Sequence, residues 1–119
     1  MTDFNSVPEF DSDLARLSKK YPSLNSDVER LKSVLRVVHP KDLLGGVRIS
    51  DLGAGVSDPI YKARHFRCES LKGKGCKSGI RVIFGHDETT NIIKFIEIYH
   101  KNQKANHDKD RIKKYLEAS

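Results

Sequence analysis

Apolar and polar positions follow a helical period first and a strand-like one later. Phe10, Leu14, Leu17 and Tyr21 recur at helical spacing, with Asp13, Arg16, Lys19 and Lys20 on other faces. Pro8 suits the first position of a helix, so the spacing predicts a helix over about Pro8–Tyr21, preceded by a short strand over Asp3–Val7. Pro22 breaks that helix and Ser23 is a candidate cap for the next. In the second helix Leu24, Val28, Leu31, Leu35 and Val38 keep an i, i+4, i+7 rhythm that stops at His39-Pro40. Two helices with one apolar stripe each cannot bury themselves fully, so this hairpin must lie on something larger.

The larger partner comes later. Lys41–Pro59 is a linker of turn residues (Gly45-Gly46, Gly53-Ala-Gly55, Ser57-Asp-Pro59) in which Val47 and Ile49 add a short extended piece. Three strand-like runs follow, Ile60–Glu69, Gly79–Gly85 and Ile92–Lys101, joined by a loop over Ser70–Ser78 and a turn over His86–Asn91. They predict an antiparallel meander and hence an α+β fold with the hairpin on one face. After Lys101 the chain is wholly polar until a short helix in which Ile112, Tyr115 and Leu116 share a face, with Asn106 as a candidate cap.

Length and charge sharpen this picture. At 119 residues, 37% apolar and 32% charged, the chain fits one domain over residues 1–119. The net charge of +6 is concentrated in Lys62–Arg81, where seven Lys/Arg stand against Glu69 alone; the remainder sums to zero. Such a field favours a phosphate-rich or acidic protein partner over a neutral small molecule, and the plainer alternative is a solvated basic loop. No leader pattern opens the chain, and no window reaches the roughly 20 apolar residues of a membrane span, so a cytoplasmic protein is expected. Cys68 and Cys76 then read as reduced thiols. A zinc site on His65, Cys68 and Cys76 lacks a fourth ligand and a close cysteine pair, so no metal is expected.

Strand alternation puts Lys62, Arg64 and Phe66 on one face and Tyr61, Ala63, His65 and Arg67 on the other. Arg81 points away from Ile80, Val82 and Phe84. Two uses fit it equally, an ion pair with Glu97 of the neighbouring strand and a role in a site. The third strand ends in Tyr99, His100 and Lys101, next to a polar segment holding Lys104 and His107. Lys and Arg beside His or Tyr suit metal-independent phosphodiester chemistry: the cations stabilise charge developing on phosphorus, His or Tyr moves protons, and RNA supplies its own 2′-hydroxyl. Carboxylates are too scarce here for a two-metal nuclease. Gly73–Gly79 lacks the spacing of a phosphate loop, and neither G-x-S-x-G nor H-E-x-x-H occurs.

The order of these elements, with Val-Pro-Glu-Phe-Asp-Ser-Asp-Leu opening the first helix, Ile60-Tyr-Lys-Ala-Arg, Gly79-Ile-Arg-Val-Ile-Phe and the strand end Tyr99-His-Lys, resembles the RelE/ParE superfamily of toxins from toxin–antitoxin systems over nearly the whole chain. The resemblance implies a small twisted antiparallel sheet with the two N-terminal helices on one face and a short C-terminal helix. It implies a plasmid-stabilisation type of toxin, an mRNA interferase that cuts messenger RNA on the ribosome, with a cognate antitoxin as partner and no cofactor. Its basic positions fall on Lys62, Arg64, Arg81 and Lys101, and its proton-transfer group on Tyr99, His100 or His107. The ParE branch instead implies a DNA gyrase inhibitor without nuclease activity. A non-catalytic RNA- or protein-binding domain is a third reading, although the exposed aromatic pair of an RNA-recognition sheet is not evident.

Overall fold

Pro8 and Pro22 divide the N-terminal third of the chain. In the computed structural model, which describes residues 1–50, 52, 58–71 and 73–118, strand β1 (Asp3–Ser6) leads through Val7 into helix α1 (Pro8–Ser18) with Pro8 in its first turn. The helix ends three residues before Tyr21, because Lys20 and Tyr21 both donate their N–H to Leu17 O and Pro22 has none to give. Helix α2 (Leu24–Val37) begins without a side-chain cap. The Ser23 hydroxyl instead donates to Asp27 at 2.7 Å and accepts the Ser70 N–H at 2.8 Å. Asp27 also accepts the Glu69 N–H and Arg30, so one buried carboxylate ties α2 to the chain that follows β3.

The remaining strands are β2 (Gly46–Ile49), β3 (Ile60–Ala63), β4 (Ile80–Asp87) and β5 (Ile92–His100), followed by helix α3 (Lys109–Ala118). They form one sheet in the order β1-β5-β4-β3-β2. Strands β2 to β5 are antiparallel neighbours, but β1 runs parallel to β5, with Asp3 opposite Ile92 and Ser6 opposite Phe95. The sheet is therefore mixed, which corrects the purely antiparallel expectation. Alternation specifies which side chains share a face and carries no information on direction.

Two further expectations change. Strand β3 stops at Ala63: the Arg64 N–H pairs with Gly45 O, and Phe66 and Cys68 turn back into the helix-side core, so Phe66 does not share a face with Lys62. Helix α3 is capped by Asp108, whose carboxylate accepts the Arg111 N–H at 3.1 Å, while Asn106 faces Lys62. The turns expected at Gly53-Ala-Gly55 and Ser57 lie outside the described residues, as does Lys72. The loop after Ser70 folds as turns and a short 3-10 helix (Gly75–Lys77).

Each face of the sheet has its own core. Phe10, Leu17, Leu24, Val28, Leu31 and Leu35 of the helices pack with Tyr61, Ala63, Val82, Phe84, Ile93, Phe95 and Ile98. Ile112 of α3 packs on the opposite face with Ile60, Ile83, Ile96 and Tyr99. A bulge separates the two halves of β5: Phe95 is opposite Phe84, Glu97 is opposite Ile83, and Ile96 is the extra residue. Beyond it the alternation changes phase, so Ile98 and His100 take the helix side and Glu97 and Tyr99 the other.

β1 covers β5 only as far as Phe95, and past that point side chains meet the open edge. Asp13 of α1 accepts the Ile98 N–H at 3.5 Å, while Arg111 of α3 donates to Ile96 O at 3.0 Å and to Asp13 at 2.6 Å. This pair joins the helices on the two faces around the sheet edge. Removing either partner strands the other charge in a largely buried position. Asp13→Ala and Arg111→Ala are each expected to cost about 3 kcal/mol in urea unfolding, and the double variant less than the sum. Strictly additive losses would contradict the pairing.

Candidate functional site

Cross-strand register builds one polar cluster on the α3 side of the sheet. Lys62 is opposite Ile83, which is in turn opposite Glu97, and Arg81 is directly opposite Tyr99. Arg64 follows the end of β3, and its carbonyl accepts Arg81 Nη1 at 2.9 Å. The segment between β5 and α3 folds over this area. Asn106 Oδ1 accepts Lys62 Nζ at 2.9 Å, and Lys104 pairs with the Glu97 carboxylate while its ammonium lies 5.6 Å from the Tyr99 ring centre. His107 sits in the same group, both ring nitrogens buried and without a hydrogen-bond partner.

The electrostatics follow from crowding of like charge. Burial, then the Arg81 and Arg64 guanidiniums, pull the Lys62 ammonium below its ordinary value. None of Lys62, Arg64 and Arg81 forms an ion pair with a carboxylate among the described residues. A face with three uncompensated cations is one on which an anion is stabilised. Burial, with Glu97 adding to it and Arg81 opposing, pushes the Tyr99 phenol up to about 12, so at neutral pH it is a proton donor. Burial and the neighbouring Lys62 lower His107 despite the opposing influence of Glu97, which keeps its imidazole neutral and able to accept a proton near pH 7.

Lys62, Arg64, Arg81, Tyr99 and His107 are thus brought together, whereas His100 and Lys101 are not part of the group. His100 lies on the helix side, its ring stacked on Tyr21 at 6.0 Å and its Nδ1 accepting the Asn102 N–H at 3.0 Å. Gly79, at φ +84°, leaves it room: a Cβ there would come within 2.9 Å of His100 Nε2. Lys101 is exposed at the strand end, its N–H bonded to Gly79 O. The ion pair between Arg81 and Glu97 does not form, because the register sets Glu97 opposite Ile83 and its carboxylate takes Lys104 and the Asp108 N–H instead.

Asn106, and Glu97 in the part it plays here, are not read as site residues from the sequence. The only sequence signal for Glu97 is a lone acid inside an apolar strand. Of the residues weighed for zinc, His65 packs on Gly45 and Cys68 is buried beside Ser23, while the Cys76 side chain lies outside the described residues. No group of three or more His, Cys, Asp or Glu suited to a metal ion occurs among the described residues, and no described helix is long and apolar enough to cross a membrane.

No family model, no curated protein and no solved structure matches the chain.

Proton NMR titration checks the electrostatics. The His107 midpoint is expected below the ordinary 6.5, and Lys62→Met, which removes a cation that lowers it, is expected to raise it. A midpoint at or above the ordinary value, or one indifferent to Lys62, contradicts this account of the cluster.

Proposed function

We propose that the chain is a RelE/ParE-type toxin, with a RelE-like arrangement of its α+β fold, that cleaves messenger RNA on the ribosome without a metal ion. The observation that carries the reading is the single face on which three cations lacking a described carboxylate partner adjoin a protonated phenol and a neutral imidazole with both nitrogens unpartnered. Two helices on one side of the sheet and α3 after its last strand agree with the arrangement the sequence resemblance implies.

Each residue has a role on this reading. His107 accepts the proton of a ribose 2′-hydroxyl as its oxygen attacks the adjacent phosphorus. The bond from phosphorus to the 5′-oxygen breaks, leaving a 2′,3′-cyclic phosphate, and the Tyr99 phenol protonates the departing oxygen. Lys62, Arg64 and Arg81 stabilise the charge gathering on the phosphoryl oxygens. Tyr99 suits the acid role and His107 the base role because at pH 7 the phenol, raised further by its surroundings, is protonated and the imidazole, lowered further by its own, is neutral. His100, stacked on Tyr21 across the sheet, has no part in the step, and Lys101 at most contacts RNA. The same basic face is the natural seat for an acidic antitoxin.

Arg81→Ala is the test. Loss of at least roughly 10²-fold in cleavage by a ribosome-programmed assay, and of growth inhibition, is expected with an unchanged circular dichroism spectrum. Undiminished cleavage would sink the site assignment. Inhibition of gyrase supercoiling by a protein that leaves RNA intact would decide for the ParE-like alternative, and nucleic-acid binding with neither activity for a non-catalytic domain.

A further inference from the structure

Glu97, weighed from the sequence as an ion-pair partner for Arg81, does something else on this face. The residue is 1% exposed, between Ile96 and Ile98 of β5, a position that costs several kcal/mol unless both carboxylate oxygens are satisfied. They are. One oxygen takes the Lys104 ammonium and the other accepts the Asp108 N–H at 2.8 Å. Those two residues bracket Asn106 and His107. Asp108 also caps α3 through the Arg111 N–H, so the grip continues into the helix.

We infer that Glu97 is a positioning residue, a buried carboxylate that pins both ends of the Lys104–Asp108 turn to the sheet and thereby fixes Asn106 on Lys62 and His107 beside it. The pinning follows from the hydrogen bonds alone; its effect on catalysis rests on the reading of this face as an RNA-cleaving site. Among the described residues the other hydrogen bonds that hold the turn run from the Gln103 and Lys104 N–H groups to His100 O at its start and from Lys62 to Asn106 Oδ1, which also accepts the His107 N–H. Held without the Glu97 pin at its start by His100 O, in its middle by the Asn106–Lys62 contact and at its end through α3, the segment would leave the His107 ring more positions to sample. Glu97 also neutralises Lys104, which leaves Lys62, Arg64 and Arg81 as the cations free for an anion. The charged groups facing His107 are Lys62 of β3, Glu97 of β5, Lys104 of the turn and Lys109 of α3.

Glu97→Gln removes the charge and keeps the volume, and Lys104→Gln loosens the same pin from the solvent side in case the first variant folds poorly. In the full chain, either variant is expected to speed hydrogen exchange of the Asp108 amide by at least about 10-fold. Glu97→Gln is further expected to lower the His107 midpoint, since it removes the one carboxylate that raises it, while His100 across the sheet keeps its own. Exchange and His107 titration identical to wild type in both variants overturn the inference. In the ribosome-programmed assay Glu97→Gln is expected to reduce kcat about 10-fold with KM little changed; a loosened turn with undiminished kcat overturns the positioning role. Altered exchange and titration in a protein whose wild type does not cut RNA would leave the pin standing and remove the proposed activity instead.

Discussion

The extra residue at Ile96 decides which side chains the rest of the structure has to work with. Strict alternation from Ile93 onward would send Phe95, Glu97 and Tyr99 together into the helix-side core and leave Ile96, Ile98 and His100 on the other face. Inserting one unpaired residue between the Phe84–Phe95 and Ile83–Glu97 pairs reverses that phase. Ile98 then fills the core against α1 and α2, and Tyr99 comes to lie beside Arg81. A bulge is a local irregularity with a long reach, because every side chain beyond it changes face.

Burying charge is the second recurring device. Asp27 ties the start of α2 to the chain after β3, Asp13 and Arg111 close the edge of β5, and Glu97 holds the turn before α3. Each carboxylate is almost fully buried, and each accepts from backbone N–H as well as from a cation. That pattern is the one under which a buried ion survives its desolvation. These contacts add directional ties to segments that the apolar cores already bring together, and Glu97 holds the polar turn over the basic face.

Much of the framework was legible from periodicity. The stripes at Phe10, Leu17, Leu24, Val28, Leu31 and Leu35 identify both helices, and Ile80, Val82 and Phe84 face them while Arg81 does not. Lys62 lies on the face of Arg81 because β3 and β4 are antiparallel neighbours in register, whereas Arg64, past the end of β3, meets Arg81 through its carbonyl. What escaped is what alternation does not encode. The direction of β1 is not carried by the apolar pattern, and the side taken by His100 depends on a bulge that no glycine marks. The end of β3 depends on Gly45 offering its carbonyl to Arg64. The cap of α3 is Asp108 and not Asn106 because the helix begins at Lys109, and Asn106 takes Lys62 instead, a contact between residues far apart in the chain.

The proposed cleavage of RNA through the ribose 2′-hydroxyl is tested most directly by the chemistry of the ends it would leave. The protein is incubated with ribosomes translating a defined message, alongside the same message carrying a 2′-deoxynucleotide at the cleaved position. A 2′,3′-cyclic phosphate and a 5′-hydroxyl are expected at the cut, and no cut at the deoxy position. Products with 3′-hydroxyl and 5′-phosphate ends, cleavage that persists without the 2′-hydroxyl, or an intact message would contradict it.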